Sequence, residues 1–392
     1  MASADHPAAD HPADAPGTGA ALLDRLLSLR DRLVASPRFR HWAARFPLTR
    51  PVARRRARAL FDLCAGFVYS QVLLACVRLK LFDILAEGPQ TPEALAPRLD
   101  LPLDSTTTLL RAAAALRLAE ARSGGRYGLG PLGAAMLGND GLAAMVEHHG
   151  LLYADLADPV ALLRAGRTRT GLGGFWAYAA AEQPAGLERG TVTAYTALMA
   201  ASQPMVAAEV LGAYPVRRHR CILDIGGGNG TFLMQVAQRA PNLRLMLFDL
   251  PAVAEQARER FAAAGLSERA TAVGGSFRSD PLPTGADLIT LVRIVHDHDD
   301  ATVLALFRAI AEALGPDGTL LIAEPMSGTA GAEPVGDAYF GLYLMAMGSG
   351  RPRTPAELEA LLRQAGFGHV EMARTSTPLV ASVLVARLGR TG

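Results

Sequence analysis

The sequence predicts an α/β protein in two parts: a mostly helical, winged-helix-like N-terminal part and a C-terminal, doubly wound, Rossmann-like domain. Three observations carry this. From about residue 60 to 210, apolar residues recur three and four apart, as in "LFDLCAGFVYSQVLLACVRLKLFDIL". From Arg220 onward the pattern becomes short apolar runs separated by helical stretches, as a parallel sheet covered on both faces requires. Where the first run meets the next helix stands "LDIGGGNGTF", a glycine-rich turn of the kind that lets a ligand approach the main chain.

At 392 residues the chain is long enough for more than one core, and with 50% hydrophobic residues it is neither fibrous nor disordered. Residues 1 to about 20 read as a disordered leader built on the repeat "ADHPAADHPADAP", with His6 and His11 solvated and no signal-peptide pattern. A basic arm follows over 21–58, where eleven arginines face only Asp24 and Asp31. It reads either as a solvated strip or as one lying on an anionic membrane surface, with Phe39, Trp42 and Phe46 as apolar partners. The run Cys64 to Val77 is shorter than the ~20 residues a bilayer span needs. Three cysteines without metal-pair spacing fit a reducing, cytoplasmic compartment, peripheral to a membrane at most.

The helical domain is expected over 59–210. Thr91 before Pro92 and Glu93 marks a helix start, and Asp104 before Ser105 another. A hairpin at "RSGGRYGLG" completes the wing. The second helix carries only Arg111 and Arg117, so packing, not DNA, is its expected role, and no nucleic-acid partner is implied by a net charge of +2. The segment from about 60 to 135 is too apolar to be left in water and predicts a two-fold dimer interface.

The second domain is expected over 211–392, with strands at "CILDI", "LRLMLFD", "ATAV", "ADLITLV", "GTLLIAE" and "ASVLVARL". Asp249, at the end of the second of these, is placed to accept both hydroxyls of a ribose. Counted from Gly226 or from Gly228, the third glycine of a dinucleotide fingerprint is missing. The loop is instead D-x-G-x-G-x-G, from Asp224 through Gly226, Gly228 and Gly230, a variant that suits S-adenosylmethionine. His296 and His298 in "VHDHDD" invite a metal reading, but the further histidine of such a loop is replaced by Ala301 and no metal is expected.

These pieces, with "FDLP", "GGSFRSDPLP" and "RPRTPAELEALLRQAGF", resemble the S-adenosylmethionine-dependent O-methyltransferases of the plant small-molecule type and their bacterial relatives, over about residues 60 to 390. The resemblance implies a methyltransferase domain behind a dimerisation domain, with His296 as general base and Glu324 as one of two glutamates holding it. Pro355 stands where the second is expected, leaving Glu357 near by. It also implies Leu250, Ser276 and Phe277 beside the cofactor, although Gly275-Ser276-Phe277 lacks the usual acid, and Arg293 facing the cofactor. Phe175, Trp176, Met345 and Met347 would line an apolar acceptor pocket. "FVYSQVLLACVRLKLFD", and His298 in place of the usual tryptophan, resemble the branch that methylates the tertiary hydroxyl of acyclic carotenoids, which implies a lipophilic substrate. A phenolic, polyketide or bacteriochlorophyll precursor, or a winged-helix regulator with a nucleoside sensor, are the competing readings.

Overall fold

A computed structural model describes residues 18–166, 170–181 and 183–389. Most of the expected leader, with His6 and His11, lies outside the described residues. The chain divides into two compact units, one ending at Val72 and one beginning at Leu73.

The first unit holds α1 (Thr18–Ala35), α2 (Pro37–Arg45) and the start of α3 (Arg50–Arg78). Ser36 caps α2 with Pro37 in its first turn, the pairing that fixes a helix start. Little here is buried: Leu22, Leu26, Trp42, Leu60, Phe61 and Phe67 stand exposed, and the Trp42 and Phe46 rings stack at 5.0 Å. The run Cys64–Val77 proves to be the end of a 29-residue helix. Among the described residues α3 is long and apolar enough to cross a membrane, so shortness no longer argues against a span.

In the second unit α4 (Leu81–Ala86), α5 (Pro92–Leu99) and α6 (Leu103–Ala115) lead into an antiparallel hairpin of β1 (Ala119–Ala121) and β2 (Tyr127–Leu129), the expected wing. Thr91 caps α5 as its sequence implies. The start expected at Asp104 falls earlier, because Pro102 sets the entry and Asp104 lies in the first turn. Helices α7 (Pro131–Ala134), α8 (Asp140–Asp155), α9 (Pro159–Ala165), α10 (Gly171–Phe175) and α11 (Ala177–Ala180) precede the long α12 (Arg189–Ala213). The boundary expected between 210 and 211 therefore falls inside α12, and the compact unit is continuous across it.

Strands β3 (Cys221–Ile225), β4 (Arg244–Asp249), β5 (Ala270–Gly274), β6 (Leu288–Val292), β7 (Thr319–Glu324), β8 (Phe367–Ala373) and β9 (Ser382–Leu388) form one sheet in the order β5-β4-β3-β6-β7-β9-β8. Its first five strands are parallel, while β9 runs antiparallel to both β7 and β8. The sheet is thus mixed, not all-parallel as expected. β8 carries no continuous apolar run, because as an edge strand it buries only Phe367 fully. Residues of α12, α13 (Thr231–Arg239) and α14 (Pro251–Ala263) cover one face; α15 (Asp300–Ala313) and α17 (Pro355–Gln364) cover the other. The order reverses between β3 and β6, and the crevice beyond their carboxyl ends is where such sheets bind ligands.

Candidate active site

A cavity opens there, floored by the loops after β3, β4, β5 and β6 and walled by α12, the α10–α11 segment and α16 (Gly341–Met347). After β3 the chain turns sharply. Gly226 has φ +69° and donates its N–H to Phe248 O at 2.7 Å, and a Cβ on it would stand 2.3 Å from Ile294 Cδ1. Gly228, also at positive φ, donates to Asp249 Oδ2 at 2.8 Å. Two residues expected in the cavity lie behind its wall. Gly230 caps α13 against the Phe261 ring, and Asp224 sits beneath the loop, where Thr290 donates to its Oδ1 at 2.7 Å. Burial pushes the Asp224 carboxyl up to about 7.

Asp249 faces the cavity with Leu250 beside it. Its oxygens accept one N–H each, from Gly228 and from Leu250 at 2.7 Å, so two anchored acceptors keep free lone pairs. Burial raises this carboxyl to about 6 against those two amides. Ser276 and Phe277 line the same end. The acid missing from the Gly275-Ser276-Phe277 turn has a counterpart four residues on, where Asp280 Oδ2 accepts the Ser276 N–H at 2.8 Å and ties the turn from outside. Phe277 meets His298 edge-on at 5.1 Å, and Arg278 reaches His298 Nδ1 at 3.3 Å. Burial, with Arg278 and His296 near by, pushes His298 down to about 4, so at neutral pH its ring accepts from Arg278.

Arg293 ends β6 with φ +58°, a left-handed conformation that costs a non-glycine residue about 1–3 kcal/mol. Its guanidinium, on the cavity wall, donates to Ser202 Oγ at 2.7 Å, to Met199 O at 3.0 Å and to Gln203, joining the loop to α12. Burial lowers it to about 10, which still leaves it cationic at neutral pH.

His296, buried on the next turn, lies between two carboxylates: Asp297 Oδ1 is 3.2 Å from Nε2, and Glu324 Oε2 is 3.3 Å from Nδ1. The second contact is ionic more than a well-aligned hydrogen bond, and Glu324 Oε2 also accepts the His296 backbone N–H at 3.1 Å. Burial works against a charged imidazole, yet Asp297 and Glu324 together raise it to about 10. The second carboxylate is thus Asp297, which the motif contains but which was not singled out. Glu357, expected near by, is used in a capping box with Thr354 and an ion pair with Arg351. The fully buried Arg353 holds the loop in place through Val295 O, His298 O and Asp300. The two histidines face different partners, and among the described residues no three His, Cys, Asp or Glu side chains converge as a metal set.

The remaining walls are aromatic. Trp176 Nε1 donates to Tyr343 Oη at 2.8 Å, and Tyr343 pairs with His148 Nε2 at 2.7 Å. Burial pushes His148 down to about 4, so the ring is neutral and its tautomer sets which of the pair donates. Tyr339 Oη likewise lies 2.8 Å from His149 Nε2 and also reaches Met145 Sδ at 3.9 Å. The hydroxyls are therefore satisfied behind the wall. Of the expected pocket residues Trp176 and Met347 line the cavity; Phe175 and Met345 do not. Residues two apart on a helix point about 200° apart, so Met345 and Met347 cannot share a face. Phe175 packs on His148 and Trp176.

The O-methyltransferase domain family matches residues 153–368, and the O-methyltransferase dimerisation domain matches 61–139. The chain is 45% identical to demethylspheroidene O-methyltransferase of Cereibacter sphaeroides, across 91% of this chain and 93% of that protein. It is 44% identical to the protein of that name from Rhodobacter capsulatus, across 91% and 89%. Human N-acetylserotonin methyltransferase, solved in complex with S-adenosylmethionine, superposes with TM-score 0.72 at 26% identity, over 85% of this chain and 98% of that one.

The chain belongs to the S-adenosylmethionine-dependent O-methyltransferases. It is an enzyme, and the matched dimerisation domain supports a homodimer. The cavity of this O-methyltransferase suits the cofactor on its own geometry. Asp249 offers two fixed acceptors to a diol, Phe277 an aromatic ring to a purine, and Arg293 a cation whose Nε has no partner among the described residues.

Asp249→Ala is expected to weaken S-adenosylmethionine binding by about 1.5–3 kcal/mol, the range for a hydrogen bond involving a charged group. Calorimetry giving an unchanged Kd would move the ribose elsewhere. His296→Ala is expected to lower turnover by at least about 100-fold with cofactor affinity nearly intact. A base must first be unprotonated, and His296 is raised to about 10, so wild-type kcat/KM for the acceptor should climb as pH rises from neutral toward that value. A flat profile between pH 7 and 9 would contradict this.

Proposed function

We propose that this methyltransferase methylates the tertiary hydroxyl of a 1-hydroxylated acyclic carotenoid, as a cytoplasmic enzyme working at the inner face of a membrane. The observation that carries the substrate is the acceptor wall: Trp176, Tyr339, Tyr343 and Met347 present apolar surface because Trp176 donates to Tyr343 and both tyrosines pair with histidines behind them. A polyene needs such a surface, and the similarity to two demethylspheroidene O-methyltransferases supports the same substrate class.

S-adenosylmethionine supplies an electrophilic methyl on a sulfonium, which leaves as a neutral thioether. The protein's part is to bind, orient and dry the reactants and to remove one proton. Asp249 and Leu250 would hold the ribose, Ser276, Phe277 and His298 would flank the adenine, and Arg293 would brace the cofactor side of the cavity. As the acceptor oxygen forms its C–O bond and the C–S bond breaks, the hydroxyl proton passes to His296, kept in place by Glu324 and Asp297. An aliphatic alcohol is a far weaker acid than a phenol, so a base of raised proton affinity in a water-poor pocket suits it.

The basic arm supports the membrane location. Eleven arginines over 21–58 face two acids, and Leu22, Leu26, Trp42 and Phe46 are exposed beside them. Anionic headgroups contribute about 1 kcal/mol for each basic residue near the surface, and exposed aromatics insert at the headgroup level.

With purified protein in detergent, hydroxylated acyclic carotenoids are expected to be methylated and small catechols or flavonoids left untouched, as read by mass analysis of the products. Robust phenol methylation without carotenoid product would move the enzyme to a phenolic substrate. In sedimentation with vesicles, the protein should bind phosphatidylglycerol-containing bilayers, stay off pure phosphatidylcholine and come off in high salt. Equal recovery with both vesicle types would leave the arm a solvated strip.

A further inference from the structure

We propose that Tyr178 is a positioning residue for the base: its hydroxyl fixes the Asp297 carboxylate against His296. Tyr178 lies in α11, on the cavity wall, and donates to Asp297 Oδ2 at 2.7 Å. The other oxygen of that carboxylate, Oδ1, is the one 3.2 Å from His296 Nε2. Asp297 is therefore a bridge whose two ends are a phenol and the imidazole. Its backbone is fixed as well, since Ser349 Oγ donates to Asp297 O at 2.7 Å.

The consequence is electrostatic. A donor on Oδ2 draws negative charge away from the oxygen facing His296, so it moderates how strongly the carboxylate holds the imidazole proton. The pair titrates as a unit. The groups facing it from every side are Glu324 at the end of β7, Arg293 at the end of β6, His298 on the same loop, Tyr195 of α12 and Tyr343 of α16. None of these donates to Asp297 Oδ2, whereas Tyr178 does. The phenol stays protonated, because burial first and the Asp297 charge second raise it well above its ordinary value. It can therefore donate through the whole working range.

This inference rests on His296 being the base. Tyr178→Phe removes the donor and keeps the ring. Without the hydroxyl, Asp297 holds the His296 proton more tightly, so the acidic limb of kcat/KM against pH should move up by about one unit. Activity lost at pH 7 should then be recovered at alkaline pH, with S-adenosylmethionine affinity unchanged. 3-Fluorotyrosine at position 178, a stronger donor of nearly the same size, should move the limb the other way. A merely structural role would give a loss independent of pH, or shifts of the same sign in both variants, and either result overturns the proposal. If His296→Ala keeps its turnover, the base reading fails first; if that variant is inactive while the Tyr178→Phe limb coincides with wild type, only the role of Tyr178 fails.

Discussion

The arrangement everything else serves is an imidazole held between two carboxylates at the end of β6. Ion groups so deeply buried are costly to desolvate, and they persist only where the surroundings over-determine them. Here the surroundings do. Arg353, itself fully buried, takes two carbonyls of the loop and the Asp300 carboxylate; Glu324 accepts the His296 backbone N–H; Arg293, in a strained left-handed conformation, is pinned to α12. Side chains from several elements thus hold this corner of the sheet, including Ser202 and Gln203 of α12, which take the Arg293 guanidinium, and Tyr178 of α11, which donates to Asp297.

The glycine turn and the imidazole loop are neighbours for a topological reason. The sheet reverses its order between β3 and β6, so the turns leaving these two strands diverge and open the crevice. The close approach of Gly226 to Ile294 packs one turn on the other and leaves Asp249 facing the cavity from the next strand. The groups proposed to bind the nucleoside and to accept the proton therefore meet without any long loop to position them.

Much of this was legible in the sequence. Apolar runs located β3, β6, β7 and β9 closely, because strands buried on both faces leave no polar alternation to confuse them, and the less buried β4 and the edge strand β5 still carried short apolar runs of their own. The edge strand β8 escaped for the opposite reason, and with it the antiparallel end of the sheet. The family resemblance pointed to His296 and Glu324 and the strand-end position to Asp249, each at a strand end or on the turn that follows. It could not tell which groups of a motif line the cavity and which support it, so Asp224 and Gly230 were placed one layer too far forward, as were Phe175 and Met345. The helical period was a usable signal for Met345 against Met347. Nothing in the local pattern linked Tyr178 to Asp297, which are brought together across 119 positions of chain, or showed that Glu357 would be taken by Thr354 and Arg351.

The chemistry of the acceptor wall follows from where its polar atoms are satisfied. A tyrosine in a pocket ordinarily advertises a donor and selects for acceptors on the ligand, because leaving a buried hydroxyl unpaired costs about 1–3 kcal/mol. In this cavity Tyr343 and Tyr339 are already paired with His148 and His149, neutral rings held on α8, and the Trp176 N–H is used on Tyr343. An acceptor molecule therefore gains little by bringing polar groups to that wall and gains by bringing apolar area. What polar demand remains on the acceptor side lies at the edge of His296 beside Asp297 and at the Tyr195 hydroxyl, which lines the cavity with no partner among the described residues. A pocket built in this way distinguishes ligands by where their single hydroxyl lies along a greasy body, which is the discrimination that the proposed carotenoid substrate requires.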